Sequence, residues 1–206
     1  MLAHRIPTEP RKRPRQARSV AAVAAMIEAT ARIVEIHGLE SLTTNRVAEL
    51  AGVSIGSLYQ YFPTKESLLA ELIRRERGTL LRDIERATES AADLPAIIEA
   101  FVRAGLAHQF SRPALSRALE YADTSLPMHE EDRALRQQIS DRLAALLEMR
   151  GVELPAIAAA DLIALCRGMI DAAATRGESD AEALFPRLRR AAMGYLGTGT
   201  PNAASR

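Results

Sequence analysis

Residues 43–65 read TTNRVAELAGVSIGSLYQYFPTK, and the spacing inside this stretch carries the fold. Gly52 separates two short runs of helix-forming residues. The small Ala48 stands four positions before it and the apolar Leu58 six positions after it. With that spacing two helices joined by a tight glycine turn cross closely: Ala48 admits the approach and Leu58 anchors the second helix. The face left over on the second helix is small, polar and aromatic, with Ser54, Ser57, Tyr59 and Gln60. Such a helix-turn-helix has the size and chemistry to lay its second helix in the major groove of DNA.

The flanks supply starts and stops. Thr43 or Thr44 can cap the first helix, whose inner residues read as Val47, Leu50 and Ala51. Ser54 can cap the second, Pro63 ends it, and Thr64 can cap a further helix that begins with Lys65. That helix is long: Leu68, Leu69, Leu72, Ile73, Leu80, Leu81 and Ile84 line one side, and it can run to about Ser90 as a connecting rod. Upstream, a helix starting within 16–19 carries Val20, Val23, Ile27, Ala31 and Val34 at spacings of three and four, a single buried stripe. It stops at His37, with Gly38 suited to a left-handed cap. Downstream, helical segments are predicted over 95–111, 113–122, 130–150, 155–176 and 180–196. No strand-like alternation, internal repeat or low-complexity core segment interrupts them.

The totals agree with packed helices. The chain has 206 residues and is 48% hydrophobic but only 4% aromatic, without tryptophan, so Leu, Ile, Val and Ala must build the core. One cysteine, Cys166, leaves no disulfide framework and no multi-cysteine metal site, which points to a reducing, cytoplasmic setting. No apolar run approaches a bilayer span, and the N-terminus lacks the apolar core of a signal peptide. Charge is unevenly placed. Within residues 1–20, Arg5, Arg11, Lys12, Arg13, Arg15 and Arg18 face Glu9 alone, a net +5, which leaves −4 for the rest of a chain whose total is +1. A basic arm of this kind meets a polyanion or is a solvated tail, and beside a helix-turn-helix the first reading gains.

The stretch 43–69, TTNRVAELAGVSIGSLYQYFPTKESLL, closely resembles the DNA-binding region of the TetR family of transcriptional regulators, and the resemblance extends over about residues 16–73. It includes the Thr-led support helix, A-x-x-A-G-V-S, G-x-L-Y-x-Y-F and K-E-x-L. The resemblance implies an all-α protein: an N-terminal three-helix helix-turn-helix DNA-binding domain and a larger C-terminal helical ligand-binding and dimerisation domain. The corresponding boundaries are a flexible basic arm over 1–15, the DNA-binding domain over 16–66, the effector and dimerisation domain over 67–197, and a disordered tail over 198–206.

It also implies roles. Thr44 would touch a phosphate through its hydroxyl and N–H at a helix N-terminus. Asn45 and Arg46 share that exposed turn, and Arg46 would reach a phosphate or a base edge. Ser54, Ile55, Gly56 and Ser57 form the entering end of the recognition helix. Gly56 admits close approach of the groove, and Ile55 would meet a thymine methyl where similar proteins often carry a polar residue. Ser57 and Gln60 would read bases by hydrogen bonding, and Tyr59 would contact backbone or base. Tyr61 would touch a phosphate or pack between helices. Lys65 would clamp a phosphate with its charge and the helix N-terminus. Arg11, Arg13 and Arg15 would lie along flanking DNA and make binding salt-dependent.

For the larger domain the expectation is a homodimer that reads a near-palindromic, double-stranded operator. Ala173, Leu184, Leu188, Ala192 and Tyr195 are its candidate interface. An unknown, apolar small-molecule effector would sit among middle helices, with Phe101, His108, Gln109, Tyr121, Cys166 and Met169 as candidate lining. No cofactor, metal or membrane partner is implied. An enzyme is disfavoured: His4, His37, His108 and His129 are scattered, and no metal-protease, dinucleotide or P-loop motif occurs.

Overall fold

The computed structural model describes residues 8–11, 16–125 and 130–197. Among them are nine α-helices, one 3-10 turn and no strand: α1 (Ala17–His37), the 3-10 turn (Leu39–Ser41), α2 (Thr44–Leu50), α3 (Ile55–Tyr61), α4 (Lys65–Thr88), α5 (Leu94–Ser111), α6 (Pro113–Ser125), α7 (Glu130–Glu148), α8 (Pro155–Thr175) and α9 (Ala181–Tyr195). The chain is all-α, as the sequence predicts, and the helix limits fall within a few residues of the predicted ones. The expected tail over 198–206 lies outside the described residues, as do Arg13 and Arg15.

The chain divides into two compact units. One comprises Met1–Arg77 and Arg112–Arg133, the other Gly78–Ser111 and Ala134–Arg206. This differs from the boundary expected at 66/67. The division falls inside α4, and α6 belongs with the N-terminal unit because Leu115, Leu119 and Ala122 complete that unit's core. That core also takes Met26, Ile27, Val34, Leu42, Val47, Ala48, Leu58, Phe62, Leu68 and Leu72. Two expectations are corrected. Val20 is 50% exposed and Leu50 is 48% exposed, and Ala48 takes the inward position on α2. Periodicity says which residues share a face; it does not say how far along the helix the neighbouring elements reach.

Arg112 holds α6 onto α1. It is the residue just before Pro113, and its carbonyl accepts the Ser116 N–H at 2.9 Å. Its Nε and Nη2 donate to Glu35 Oε2 at 2.9 and 2.5 Å, and Nη1 lies 3.4 Å from Glu28 Oε1. The hydrogen bond to Glu35 raises the guanidinium's pKa above its ordinary value, against a smaller opposing cost of burial.

In the second unit α5, α7, α8 and α9 bury Ile97, Ile98, Phe101, Leu143, Leu147, Leu162, Ala173, Leu184 and Leu188 around Ile84 of α4. Arg103 stacks over the Phe185 ring at 3.7 Å and pairs with Glu182 at 3.3 Å, and Arg189 binds Glu99. These contacts tie α9 to α5.

Candidate nucleic-acid interface

Local hydrogen bonds shape the helix-turn-helix. Thr43 caps α2, its side chain accepting the Arg46 N–H at 3.3 Å. Ser54 caps α3 by accepting the Ser57 N–H at 3.1 Å, and the two serine hydroxyls lie 2.8 Å apart. Between the caps Gly52 adopts φ +67, the left-handed conformation that a β-carbon disfavours, and the Val53 N–H donates to the Ala48 carbonyl at 3.0 Å to close the turn. At the head of α4, Thr64 and Ser67 cap each other: the Ser67 N–H donates to Thr64 Oγ1 at 3.1 Å and the Thr64 N–H to Ser67 Oγ at 3.3 Å.

Leu58 and Phe62 point inward and are at most 1% exposed. Asn45, Arg46, Ser54, Ile55, Gly56, Tyr59, Gln60 and Lys65 are exposed, and Thr44 and Ser57 are half-buried. The structure links two of these across the motif: Thr44 Oγ1 and Tyr59 Oη lie 3.1 Å apart, so the start of α2 and the outer face of α3 hold each other in register. At Gly56 an added β-carbon would meet only Ser54 Oγ, at 4.0 Å. No protein atom there requires a glycine.

Two expectations change. Tyr61 is 9% exposed with its ring in the core, so it packs between helices; the phosphate contact expected of it has no exposed ring behind it. Arg46 is turned back, its Nη1 donating to the Ser41 carbonyl at 3.0 Å. It borders, with Ile36, His37 and Leu50, a groove of about 400 Å³ between α1 and α2. An isolated turn cannot announce a ring's burial, because α1 and α4 supply its neighbours.

The expected flexible arm is also anchored in part. Thr8 is 1% exposed, its carbonyl accepts Arg74 Nη2 at 3.2 Å, and the Arg11 N–H donates to the Tyr61 carbonyl at 2.8 Å. Sequence reasoning missed Arg74 here, and no local signal pairs residues that lie 66 positions apart.

The second unit revises the other candidates. Ala173, Leu184, Leu188 and Ala192 are at most 1% exposed inside this unit's own core, so they are closed to a partner; Tyr195, at 44%, is not. Tyr195 donates to Asp161 Oδ2 at 2.6 Å, which raises the phenol above its usual range. The open face of α8 carries Ile157, Ala160, Ala164, Gly168 and Ala172. Phe101 and Cys166 are buried and Met169 is partly buried against the same core. Burial pushes the Cys166 thiol up to about 11. His108 and Gln109 are half-buried. Tyr121 is 71% exposed and belongs to the first unit.

An exposed, capped recognition helix carrying hydrogen-bonding and aromatic residues, on a three-helix headpiece within an all-helical chain, defines a helix-turn-helix DNA-binding regulator. Comparison with known proteins agrees. The description "Bacterial regulatory proteins, tetR family" fits residues 26–72, and "Tetracyclin repressor-like, C-terminal domain" fits residues 93–196. The chain belongs to the TetR family of transcriptional regulators.

Among similar sequences, the transcriptional repressor KstR of Mycolicibacterium smegmatis is 31% identical over 104 residues, 48% of this chain and 51% of that protein. The nucleoid occlusion factor SlmA of Haemophilus influenzae is 29% identical over 146 residues, 64% of this chain and 65% of that one. The chain spans about half the length of most curated relatives it matches. Among solved structures, a TetR-family regulator from Streptomyces coelicolor superposes with TM-score 0.70 at 18% identity, covering 87% of this chain and 97% of that one. The fatty acid degradation regulator FadR of Bacillus halodurans gives 0.68 at 16%, covering 94% and 100%. At such identities the structures speak for the fold. Among the described residues no helix is long and apolar enough to cross a membrane.

Proposed function

We propose that this regulator is a homodimeric repressor that reads a near-palindromic operator and leaves it when a small molecule binds the second unit. The observation that carries the reading is the exposed face of α3, where Ser54, Gly56, Tyr59 and Gln60 are open to solvent and Ser57 is half-open. On that face Gln60 pairs with adenine, Ser57 donates to a base edge and Ile55 meets a thymine methyl. Thr44, Asn45 and Lys65 hold phosphates at two helix N-termini and set the register, and the basic residues Arg11, Arg13 and Arg15 hold flanking DNA. Arg46 takes part only after leaving the Ser41 carbonyl.

A single headpiece touches few base pairs, so specific binding asks for two copies. The small, exposed residues of α8, with Tyr195, favour close approach of a second copy's helices, and they replace the buried alanines and leucines as the pairing face. The aliphatic interior of the second unit favours an apolar effector near Phe101, Cys166 and Met169. Such a ligand shifts the protein away from DNA only as far as it prefers the non-binding geometry. A second reading is a DNA-binding regulator without an effector, which the similarity to a protein named for nucleoid occlusion and not for a ligand allows.

Selection from random duplex DNA, followed by fluorescence anisotropy on the selected site and sedimentation, tests the reading. Near-palindromic selected sites, bound by a dimer with affinity falling steeply in salt, are expected. A monomer that shows no preference among duplexes at low ionic strength refutes it. A thermal-shift ligand screen, read out by release of the selected duplex, separates the two readings.

A further inference from the structure

The N-terminal segment makes contacts that the DNA-reading helix does not need for its own fold. Residues 8–11 lie against the first unit, and hydrogen bonds to their main chain are formed at Thr8 and at Arg11. At one, Arg74 of α4 donates from Nη2 to the Thr8 carbonyl at 3.2 Å, while its Nη1 is held by Glu71 at 2.8 Å. The arginine side chain is only 15% exposed and Thr8 1%. At the other, the Arg11 N–H donates to the Tyr61 carbonyl at 2.8 Å. Tyr61 is the last residue of α3, so this bond satisfies a carbonyl that the helix itself leaves open. The Arg11 side chain is exposed, a cation set at the negative end of the recognition helix.

We propose that residues 8–11 are a strap that holds the Arg11 guanidinium beside the end of the recognition helix to contact the flanking phosphate backbone, with Arg74 as the positioning residue that acts through Thr8. The proposal rests on the reading of α3 as the DNA-binding helix. Three physical facts support it. An arm free in solution must lose backbone freedom when it meets DNA, and a strap loses it beforehand. The carbonyl that holds Arg11 belongs to Tyr61, four residues before Lys65, the residue assigned to a phosphate, so the two cations flank the α3–α4 connection. And the anchor is asymmetric: Thr8 Oγ1 is buried without a hydrogen bond among the described residues, so Thr8 is held by its main chain rather than by its hydroxyl.

The test uses the full chain and the duplex that the wild-type protein selects from random DNA. R74Q should bind about tenfold more weakly, the order expected when a charge-assisted contact is lost. R11A, which keeps the strap and removes the cation, should lose a similar factor and reduce the salt slope by about one. R11A/R74Q should be no more than about twofold weaker than R11A alone, since Arg74 works through Arg11. T8V keeps the carbonyl and removes the unpaired hydroxyl, so it should bind as tightly as wild type or tighter. Removing residues 2–9 deletes the acceptor and keeps net charge unchanged, since Arg5 and Glu9 leave together; it should reproduce R74Q if R74Q itself fails to fold. Hydrogen exchange supplies a readout without DNA: the Arg11 amide should be protected in wild type and T8V and unprotected in R74Q. A full tenfold loss from R74Q in the R11A background, or an unprotected Arg11 amide in wild type, overturns the strap. A wild-type protein with a protected Arg11 amide but no duplex preference overturns the DNA reading instead.

Discussion

One methyl group at Gly56 should move stability and DNA affinity in opposite directions. Gly56 is the second residue of α3, it is exposed, and a β-carbon placed there meets only Ser54 Oγ at 4.0 Å, the outer edge of van der Waals contact. G56A therefore introduces no clash within the protein. It restricts the unfolded backbone and raises helix propensity in a helix of only seven residues, worth roughly 0.5–1 kcal/mol in favour of the fold. For a chain of this size that is an increase of about 1–4 °C in melting temperature. On DNA the sign reverses. If the α3 backbone lies against the groove floor, the methyl takes space occupied by base edges, and overfilling a close contact costs about 1–3 kcal/mol, or roughly 5- to 150-fold in affinity. No charge changes, so the slope of log K against log salt should match wild type. Circular dichroism melts and anisotropy on the selected duplex, at three salt concentrations, measure both quantities. Two results refute the reasoning. A G56A protein that melts lower shows that the space at position 56 is not open; one that binds as tightly as wild type shows that the glycine does not face the groove.

Three further predictions concern separate parts of the molecule. Q60A should relax preference at one base pair of each half-site by about 1–3 kcal/mol, whereas T44V should weaken binding to all duplexes about equally, which competition with point-substituted duplexes distinguishes. E35Q and R112Q should each lower stability by about 1 kcal/mol, discounted because both side chains are 28% exposed, and the double variant should be little worse than either; denaturant titration checks this, and additive losses would show that the pair is not coupled. Cys166 should resist alkylation at pH 8 in the native protein and react on unfolding. Its raised pKa also sets a pH dependence. Well below pH 9 the thiol is protonated in both states, and as pH rises through about 9 toward 11 the unfolded chain gains by ionising, so stability should fall by at most about 1.4 kcal/mol per pH unit. C166A should remove that part of the decline.

The recognition motif was legible because its causes are local. Thr43 and Ser54 cap helices within three residues of themselves, Gly52 makes the turn with its own φ, and Ala48 and Leu58, on either side of that turn, are buried in one core. The open face of α3 then followed from the positions of Leu58 and Phe62. The C-terminal helices behaved differently. Ala173, Leu184, Leu188 and Ala192 form apolar stripes, and a stripe looks the same in sequence whether it meets its own chain or a second copy. The buried ring of Tyr61 and the exposed one of Tyr121 were equally undecidable, since neither residue's covering elements are its sequence neighbours.

From composition, capping and helical period alone came an all-helical chain, the order of its helices and the helix proposed to face DNA, because those depend on contacts a few residues long. Folding in three dimensions assigned α6 to the headpiece core, closed four of the five expected pairing residues inside their own unit, turned Arg46 back on Ser41 and set Arg74 against Thr8. Each of these joins groups whose meeting is arranged by packing and chain direction, or by a side-chain torsion, and residue spacing along a helix records neither.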